Sequence, residues 1–94
     1  MTNKKSKYKS VTIKKKRYYF YKITWLDITG DSGHADLYSA LGFMPSVMVT
    51  HAYVLNKGKN NIRTFASYEE NDELFSDRNV FPKGCIKKME KVLI

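Results

Sequence analysis

The sequence predicts a mainly β protein, a small five-stranded antiparallel barrel with one short helix and a basic N-terminal arm. Three observations predict this fold. The chain has 94 residues, which supply enough apolar surface for one modest core and one domain. Runs of β-branched and aromatic residues recur along it, separated by short connections that contain glycine, asparagine or proline. Only one segment has the residue spacing of a helix.

The positive charge is concentrated at the N-terminus. The net charge is +8, and residues 1–22 hold nine basic side chains and no acidic one. Residues 23–94 hold eight basic and nine acidic side chains, so the rest of the chain is close to neutral. Residues 1–10 offer almost nothing to bury and are predicted to be a flexible tail, whereas residues 11–94 are predicted to form a single domain.

The first predicted strand is the segment VTIKKKRYYFYKITWLDI, residues 11–28, which has the composition of a strand. Its alternation places on one face Tyr19, Tyr21, Ile23 and Trp25. Apolar residues also occupy the opposite face. This pattern predicts a long, bent strand in a closed or two-layered sheet, ended by the glycine-bracketed turn at residues 30–33.

The segment ADLYSALGFMP predicts a helix of about two turns. Asp36 or Ser32 is placed to cap it, Gly42 to end it, and Pro45 prevents its continuation. The predicted buried face consists of Leu37, Ala40 and Leu41. We expect this short helix to pack over one end of the sheet.

The second half of the chain predicts a hairpin and a final strand. Residues 46–68 alternate in hydrophobicity on both sides of a polar turn at Gly58. The acidic segment EENDELFSD, residues 69–77, is predicted to be an exposed loop. A short strand at Val80 and Phe81, a turn through Pro82–Gly84 and a last strand or helical turn follow. The residues predicted to point inward from this last segment are Ile86, Met89, Val92 and Leu93.

Five strands in so few residues bury both their edges and their apolar faces best by curling into a barrel of the SH3-like or Sm-like kind. A ferredoxin-like fold would require two good helices, and the sequence offers one. No run of about 18 apolar residues is present to cross a membrane, no secretory signal is evident, and the single cysteine, Cys85, forms no internal disulfide. We therefore expect a cytoplasmic protein that does not bind a membrane.

The chain resembles a loose group of small, uncharacterised bacteriophage proteins. The resemblance spans residues 19–93 and includes Trp25-x-Asp27 at the end of a strand, Tyr53-Val54-Leu55, and the turn Pro82-Lys83-Gly84-Cys85-Ile86. His34 stands where such proteins often have a tryptophan. The last two segments are also similar to the second half of an Sm-like barrel, although the Arg-Gly turn of that family is missing. The resemblance implies a fold and a phage origin, and hence the cytoplasm of an infected host.

The letters Gly30-Asp31-Ser32-Gly33 are those that surround the nucleophile of trypsin-like proteases. Such catalysis requires a histidine and an aspartate that converge on the serine from a two-barrel body, which this chain is too short to build. The other histidine, His51, lies in the middle of a strand. We therefore expect no catalytic residues and a protein that is not an enzyme.

A metal site is also not expected. The candidate ligands Asp27, Asp31, His34 and Asp36 do not have the spacing of an EF-hand loop, and no cysteine or second histidine lies at the spacing of a zinc site. We expect Asp31 to stabilise the turn and Asp36 to cap the helix. No cofactor is expected.

The basic, aromatic segment is the strongest functional signal. The residues predicted to bind nucleic acid or phosphate are Lys14, Lys15, Lys16, Arg17, Tyr19 and Tyr21, because such interleaving combines phosphate attraction with stacking surfaces. The alternative is a solvated arm that keeps the protein soluble, with the aromatic rings in the core. The acidic segment at 69–77 is a candidate to hold the arm, within one molecule or in a neighbour.

These observations favour a phage-encoded, non-enzymatic binding protein that binds nucleic acid through its basic aromatic arm. One alternative is an anti-defence or host-takeover factor that sequesters a small nucleotide or blocks a host protein. Another is a minor virion or assembly component. Self-association into a homo-oligomer through edge strands is a further expectation. The candidate ligand pocket consists of Trp25, Asp27, His34 and Tyr53.

Overall fold

The computed structural model describes residues 7–94, and the fold is mainly β and antiparallel with one short helix, as predicted. A six-stranded sheet is formed by β1 (Ser10–Ile13), β2 (Lys16–Asp27), β3 (Ser46–Lys57), β4 (Asn61–Phe65), β7 (Asn79–Pro82) and β8 (Ile86–Lys91). A two-stranded sheet is formed by β5 (Ser67–Glu69) and β6 (Leu74–Ser76). The helix α1 spans Leu37–Leu41. No helix within residues 7–94 is long and apolar enough to cross a membrane.

The segment predicted as one long first strand is divided into β1 and β2. The two strands form a hairpin in which Ile13 pairs with Lys16. The connecting residues, Lys14 and Lys15, both have positive φ angles, 50° and 68°. Two consecutive positive φ angles are typical of the tight hairpin turn that matches the twist of a sheet, and Asn-Gly is its usual sequence. The lysine pair gives no such signal, so the pattern did not reveal this turn.

Strand β2 is the centre of the large sheet. One of its edges pairs with β3 along residues 20–27, and its other edge pairs first with β1 and then with β8. Beside that edge, Lys9 donates a 2.8 Å hydrogen bond from its backbone to Val92. Ser10 lies in β1, so residues 7–10, in the segment predicted as a tail, are hydrogen-bonded to the sheet; residues 1–6 lie outside the described part.

The sheet carries a hydrophobic cluster on each face. The first cluster consists of Tyr21, Ile23, Val54, Ile62 and Phe81, with Trp25, Ile86 and Met89 packed against it. The second consists of Ile13, Tyr18 and Phe65, with Tyr53, Leu55 and Phe75 packed against it. The apolar residues on both faces of the first predicted strand therefore reflect two separate clusters.

The acidic segment at 69–77 is a hairpin where a loop was predicted. Its strands β5 and β6 place Phe75 4.8 Å from Phe65 between ring centroids, so the hairpin covers the second cluster. Leu74 stays exposed. Burial, and to a lesser extent the nearby carboxylate of Glu73, raises the pKa of Tyr18 beneath this hairpin.

The sheet is not the closed barrel that was predicted. Within residues 7–94 the order of pairing ends at β7 on one side and at β1 and β8 on the other, and no hydrogen bonds join these ends. A single 3₁₀ turn, Lys83–Cys85, carries the chain from β7 to β8. Side chains connect β7 to the centre of the sheet, where the Phe81 ring lies 5.3 Å from the ring of Trp25 in β2. The indole of Trp25 donates a 2.9 Å hydrogen bond to Thr50.

Residues 28–45 connect β2 to β3. Together with the start of β3, residues 46–49, they form an extension in which every residue is exposed. Helix α1 begins after its cap Asp36, whose carboxylate accepts a 2.8 Å hydrogen bond from the backbone of Ser39. Of the two predicted caps, Asp36 is the one that caps the helix, and Gly42 ends it as predicted, although its five residues are shorter than the two turns expected. The prediction that Leu37, Ala40 and Leu41 are buried is wrong, because α1 has no buried residue.

Candidate nucleic-acid interface

A basic groove lies between the start of β2 and the end of β3, where the two strands are not paired with each other. Its volume is about 310 Å³. Its cationic and tyrosine lining consists of Lys16, Arg17, Tyr18, Tyr19, Tyr21, Lys57 and Lys91. The remaining lining residues are apolar or neutral, and no carboxylate faces the groove. Four cations from three strands therefore surround one concave surface.

Two tyrosines on β2 position two of these cations. Lys57, at the end of β3, donates a 2.8 Å hydrogen bond from Nζ to the hydroxyl of Tyr21, and the same Nζ lies 4.8 Å from the centroid of that ring. Lys91, at the end of β8, lies 4.3 Å above the Tyr19 ring. Because Tyr19 and Tyr21 share a face of β2, these contacts hold both ammonium groups over the same side of the sheet.

The groove cations carry uncompensated charge. Among residues 7–94 the ion pair found is Lys88 with Glu90, at 3.4 Å, and neither residue lines the groove. Lys16, Arg17, Lys57 and Lys91 are exposed. Their positive charges are therefore available to an anion from solution.

The hairpin turn extends the basic surface beyond the groove. Lys14 and Lys15 are exposed at the tip of the β1–β2 hairpin, next in sequence to Lys16 and Arg17. A positive φ costs a non-glycine residue on the order of 1 kcal/mol or more. Lys14 and Lys15 both adopt this conformation, although glycine and asparagine adopt it with less strain.

More lysine–aromatic pairs lie near the other end of β1. The Nζ of Lys9 lies 4.3 Å from the centroid of the Phe20 ring, and that of Lys91 lies 5.2 Å from the centroid of Tyr8. Lys7 also lies over Tyr8, at 5.5 Å. In each pair an ammonium group sits over a ring face, so these rings contribute to holding cations in place.

The sequence-predicted binding residues are brought together only in part. Lys16, Arg17, Tyr19 and Tyr21 line the groove, whereas Lys14 and Lys15 lie at the adjoining turn. The aromatic rings offer little free stacking surface, because Tyr18 and Tyr21 are buried and a lysine covers a face of Tyr19.

Sequence reasoning missed Lys57 and Lys91, which come from the nearly neutral part of the chain. The signal that could have found them is strand register. Lys91 pairs with Tyr21 between β8 and β2, so the two side chains lie on the same face. Both lysines lie at the ends of strands, and the sequence pattern does not give the register between distant strands.

The four residues of the predicted ligand pocket lie in different places. Trp25 and Asp27 line an apolar cavity of about 670 Å³ between the end of β2, residues 43–45 and β7. His34 is exposed beside α1 and lines a different cavity. Tyr53 lies on the face of the large sheet opposite to that of Trp25, with its ring centroid 5.4 Å from that of Phe65.

The Gly30–Gly33 segment is an exposed turn. The carboxylate of Asp31 accepts a 2.8 Å hydrogen bond from the backbone of Gly33, so the predicted turn role of Asp31 is confirmed, as is the capping role of Asp36. Within the described part of the chain, no three His, Cys, Asp or Glu residues are grouped closely enough to hold a metal ion.

Comparison with other proteins gives no family for the chain. It matches no protein-family model, and neither the curated proteins nor the solved structures compared with it gave a significant match.

Proposed function

We infer that this protein is a non-enzymatic nucleic-acid-binding protein whose basic groove receives the phosphate backbone. The observation that carries this inference is the convergence of four exposed cations on one concave surface without a carboxylate. When lysine and arginine side chains neutralise the phosphates of a nucleic acid, the counterions bound to those phosphates are released. This release supplies the affinity of sequence-independent binding.

The extent of the basic surface favours a polymer over a single small anion. Lys14 and Lys15 continue the groove at the hairpin tip, and Lys7 lies over the Tyr8 ring together with the groove residue Lys91. A mononucleotide contacts only a few of these cations at one time, whereas successive phosphates of a strand contact many. Four of the cations on this surface, Lys14, Lys15, Lys16 and Arg17, are residues that the sequence predicted for phosphate binding.

The arrangement of the rings favours contact with phosphates over contact with bases. Base stacking requires a free aromatic face. Tyr21 is buried, and lysine ammonium groups lie over Tyr19 and Phe20. We therefore expect little sequence preference and no strong distinction among the four bases.

The test is a binding titration of the full chain with fluorescein-labelled oligonucleotides of about 20 nucleotides, single-stranded and double-stranded, over a series of salt concentrations. Four phosphate contacts predict a logarithmic slope of affinity against salt of about −3 for a single strand and somewhat steeper for a duplex. Unlabelled mononucleotides compete in parallel. Binding that is insensitive to salt, or tighter binding of a mononucleotide than of either oligonucleotide, contradicts the proposal.

A further inference from the structure

The extension at residues 28–49 exposes apolar side chains that a soluble monomer usually covers. The exposed large apolar residues within it are Ile28, Leu37, Tyr38, Leu41, Phe43, Met44, Val47, Met48 and Val49. Together they expose on the order of 1,000 Å² of apolar surface, on α1, on residues 43–44 and on both faces of the start of β3. The extension therefore has the surface of an interface.

Helix α1 buries none of its residues against the described part of the chain. It has five residues, and Leu37, Tyr38 and Leu41 are each at least 75% exposed. An isolated helix shorter than about 12 residues is marginal in water, because few hydrogen bonds offset the cost of nucleation. The cap at Asp36 alone does not compensate for this, so α1 requires a surface against which to pack.

The extension also presents an open strand edge. Strand β3 pairs with β2 along residues 46–53 but with β4 only from Tyr53 onward. Among the described residues, no strand pairs with the outer edge of residues 46–52. This edge, SVMVTHA, contains no lysine and no proline, the residues that usually block such edges.

We propose that a second copy of this chain pairs with this edge, so that two β3 strands form an antiparallel ladder related by a two-fold axis near Val49. The midpoint of residues 46–52 sets this register. Val49 then lies opposite its own counterpart, and Val47 lies opposite His51. Each copy has the same unpaired backbone N–H and C=O groups on this edge. The groups of the two copies therefore form hydrogen bonds with each other in one closed dimer.

The register also explains the uncovered helix. In an antiparallel ladder centred on Val49, the residues that precede Ser46 in one copy run beside Tyr53 and the β4 side of the other. Helix α1 lies within that preceding segment, so it gains the partner's body as a packing surface. The exposed apolar area is comparable to the roughly 800 Å² per partner of a stable interface.

The charge of this region excludes an anionic polymer or lipid surface as the occupant. Residues 23–56 contain no lysine or arginine and include Asp27, Asp31 and Asp36. Nucleic acid and anionic membranes are therefore repelled from the extension, while the edge residues 46–52 carry no acidic side chain that would oppose self-pairing. The basic groove, which is lined by other residues, stays free in the dimer.

Sedimentation equilibrium of the full chain tests the proposal. We expect a species of twice the 11.0 kDa chain mass at micromolar concentration. Val49→Lys places two like charges opposite each other at the two-fold axis and is expected to give a monomer. The matched control is Val80→Lys, an exposed valine on the edge strand β7, which should stay dimeric. Circular dichroism of each variant verifies that it is folded.

Cross-linking tests the register. In a Cys85→Ser background, Val49→Cys should form a disulfide between copies under mild oxidation, because directly opposite strand residues lie within the Cα distance that a disulfide spans. Val80→Cys should not. A monomeric parent chain, a dimer that Val49→Lys leaves intact, or equal cross-linking at both positions overturns the proposal.

Discussion

The Nζ atom of Lys57 donates a 2.8 Å hydrogen bond to the hydroxyl of Tyr21, which joins the end of β3 to the middle of β2. The contact places a cation at the wall of the basic groove and ties it to a ring that is part of the first hydrophobic cluster. The core and the candidate site therefore share a residue. A substitution that removes only the Tyr21 hydroxyl is expected to change the free energy of unfolding without changing the number of cations in the groove.

Tyr21→Phe is expected to lower the free energy of unfolding by about 1 kcal/mol, because it removes the acceptor of this hydrogen bond and leaves the ring in place. Chemical denaturation measures the change. The groove keeps its four cations, so the salt slope of nucleic-acid binding should stay the same. Tyr53→Phe is the matched control on the opposite face. An equal loss of stability in both variants would contradict the importance of the Lys57 contact.

Replacing the hairpin turn residues with Lys14→Asn and Lys15→Gly is expected to raise the free energy of unfolding by about 1 kcal/mol. Asparagine and glycine accept the positive φ angles at these positions with less strain than lysine. Urea denaturation measures the gain, and Lys83→Gln with Lys87→Gln, both outside the hairpin, controls for the loss of two positive charges. A loss of stability in the double variant would show that the lysines do not strain the turn.

Phe65→Ala is expected to destabilise the protein by about 3–5 kcal/mol, since truncating a fully buried ring leaves a cavity. The ring contacts Tyr18, Tyr53 and Phe75, so both the large sheet and the β5–β6 hairpin lose support. Thermal or urea denaturation gives the value. Val80→Ala, at an exposed position, should change it by less than about 0.5 kcal/mol. Similar losses for both would mean that Phe65 is not at the centre of a packed cluster.

Helix α1 is expected to fray on acidification. The backbone hydrogen bond from Ser39, followed by the side-chain hydrogen bond from the same residue, lowers the pKa of Asp36 below its ordinary value of 3.8. Because the folded pKa is the lower one, the cap is fully effective above the ordinary value and is lost as the pH falls through the folded pKa. Amide chemical shifts of α1 follow the transition. Asp36→Asn, which caps without titrating, should abolish it; an unchanged transition would assign it to another group.

The sequence predicted the elements whose patterns are local. The β3–β4 hairpin, the cap at Asp36 and the strand around Phe81 each follow from alternation or from a residue with a defined turn preference. The turn at Lys14 and Lys15 was not predicted, because its sequence conflicts with its conformation. Local patterns carry no information about such a conflict.

The open sheet and the exposed helix were not predicted for a different reason. The spacing of Leu37 and Leu41 indicates an apolar face correctly, but spacing does not tell what covers that face. The composition around Lys16 and Arg17 led to the prediction of a phosphate site, whereas Lys57 and Lys91 come close to these residues only through strand pairing. Contacts between distant strands depend on register, which a single sequence specifies weakly when residues are apolar on both faces.

The most direct test of the proposed function compares two charge-matched double variants in the oligonucleotide titration. Lys57→Gln with Lys91→Gln removes two groove cations, whereas Lys83→Gln with Lys87→Gln removes two exposed cations that do not line the groove. The groove variant is expected to bind a single strand at least tenfold more weakly, with a salt slope shallower by about 1.4, since each phosphate contact contributes about 0.7. The control variant should keep most of the affinity. Equal weakening of the two variants, or unchanged binding by the groove variant, would contradict a phosphate site in the groove.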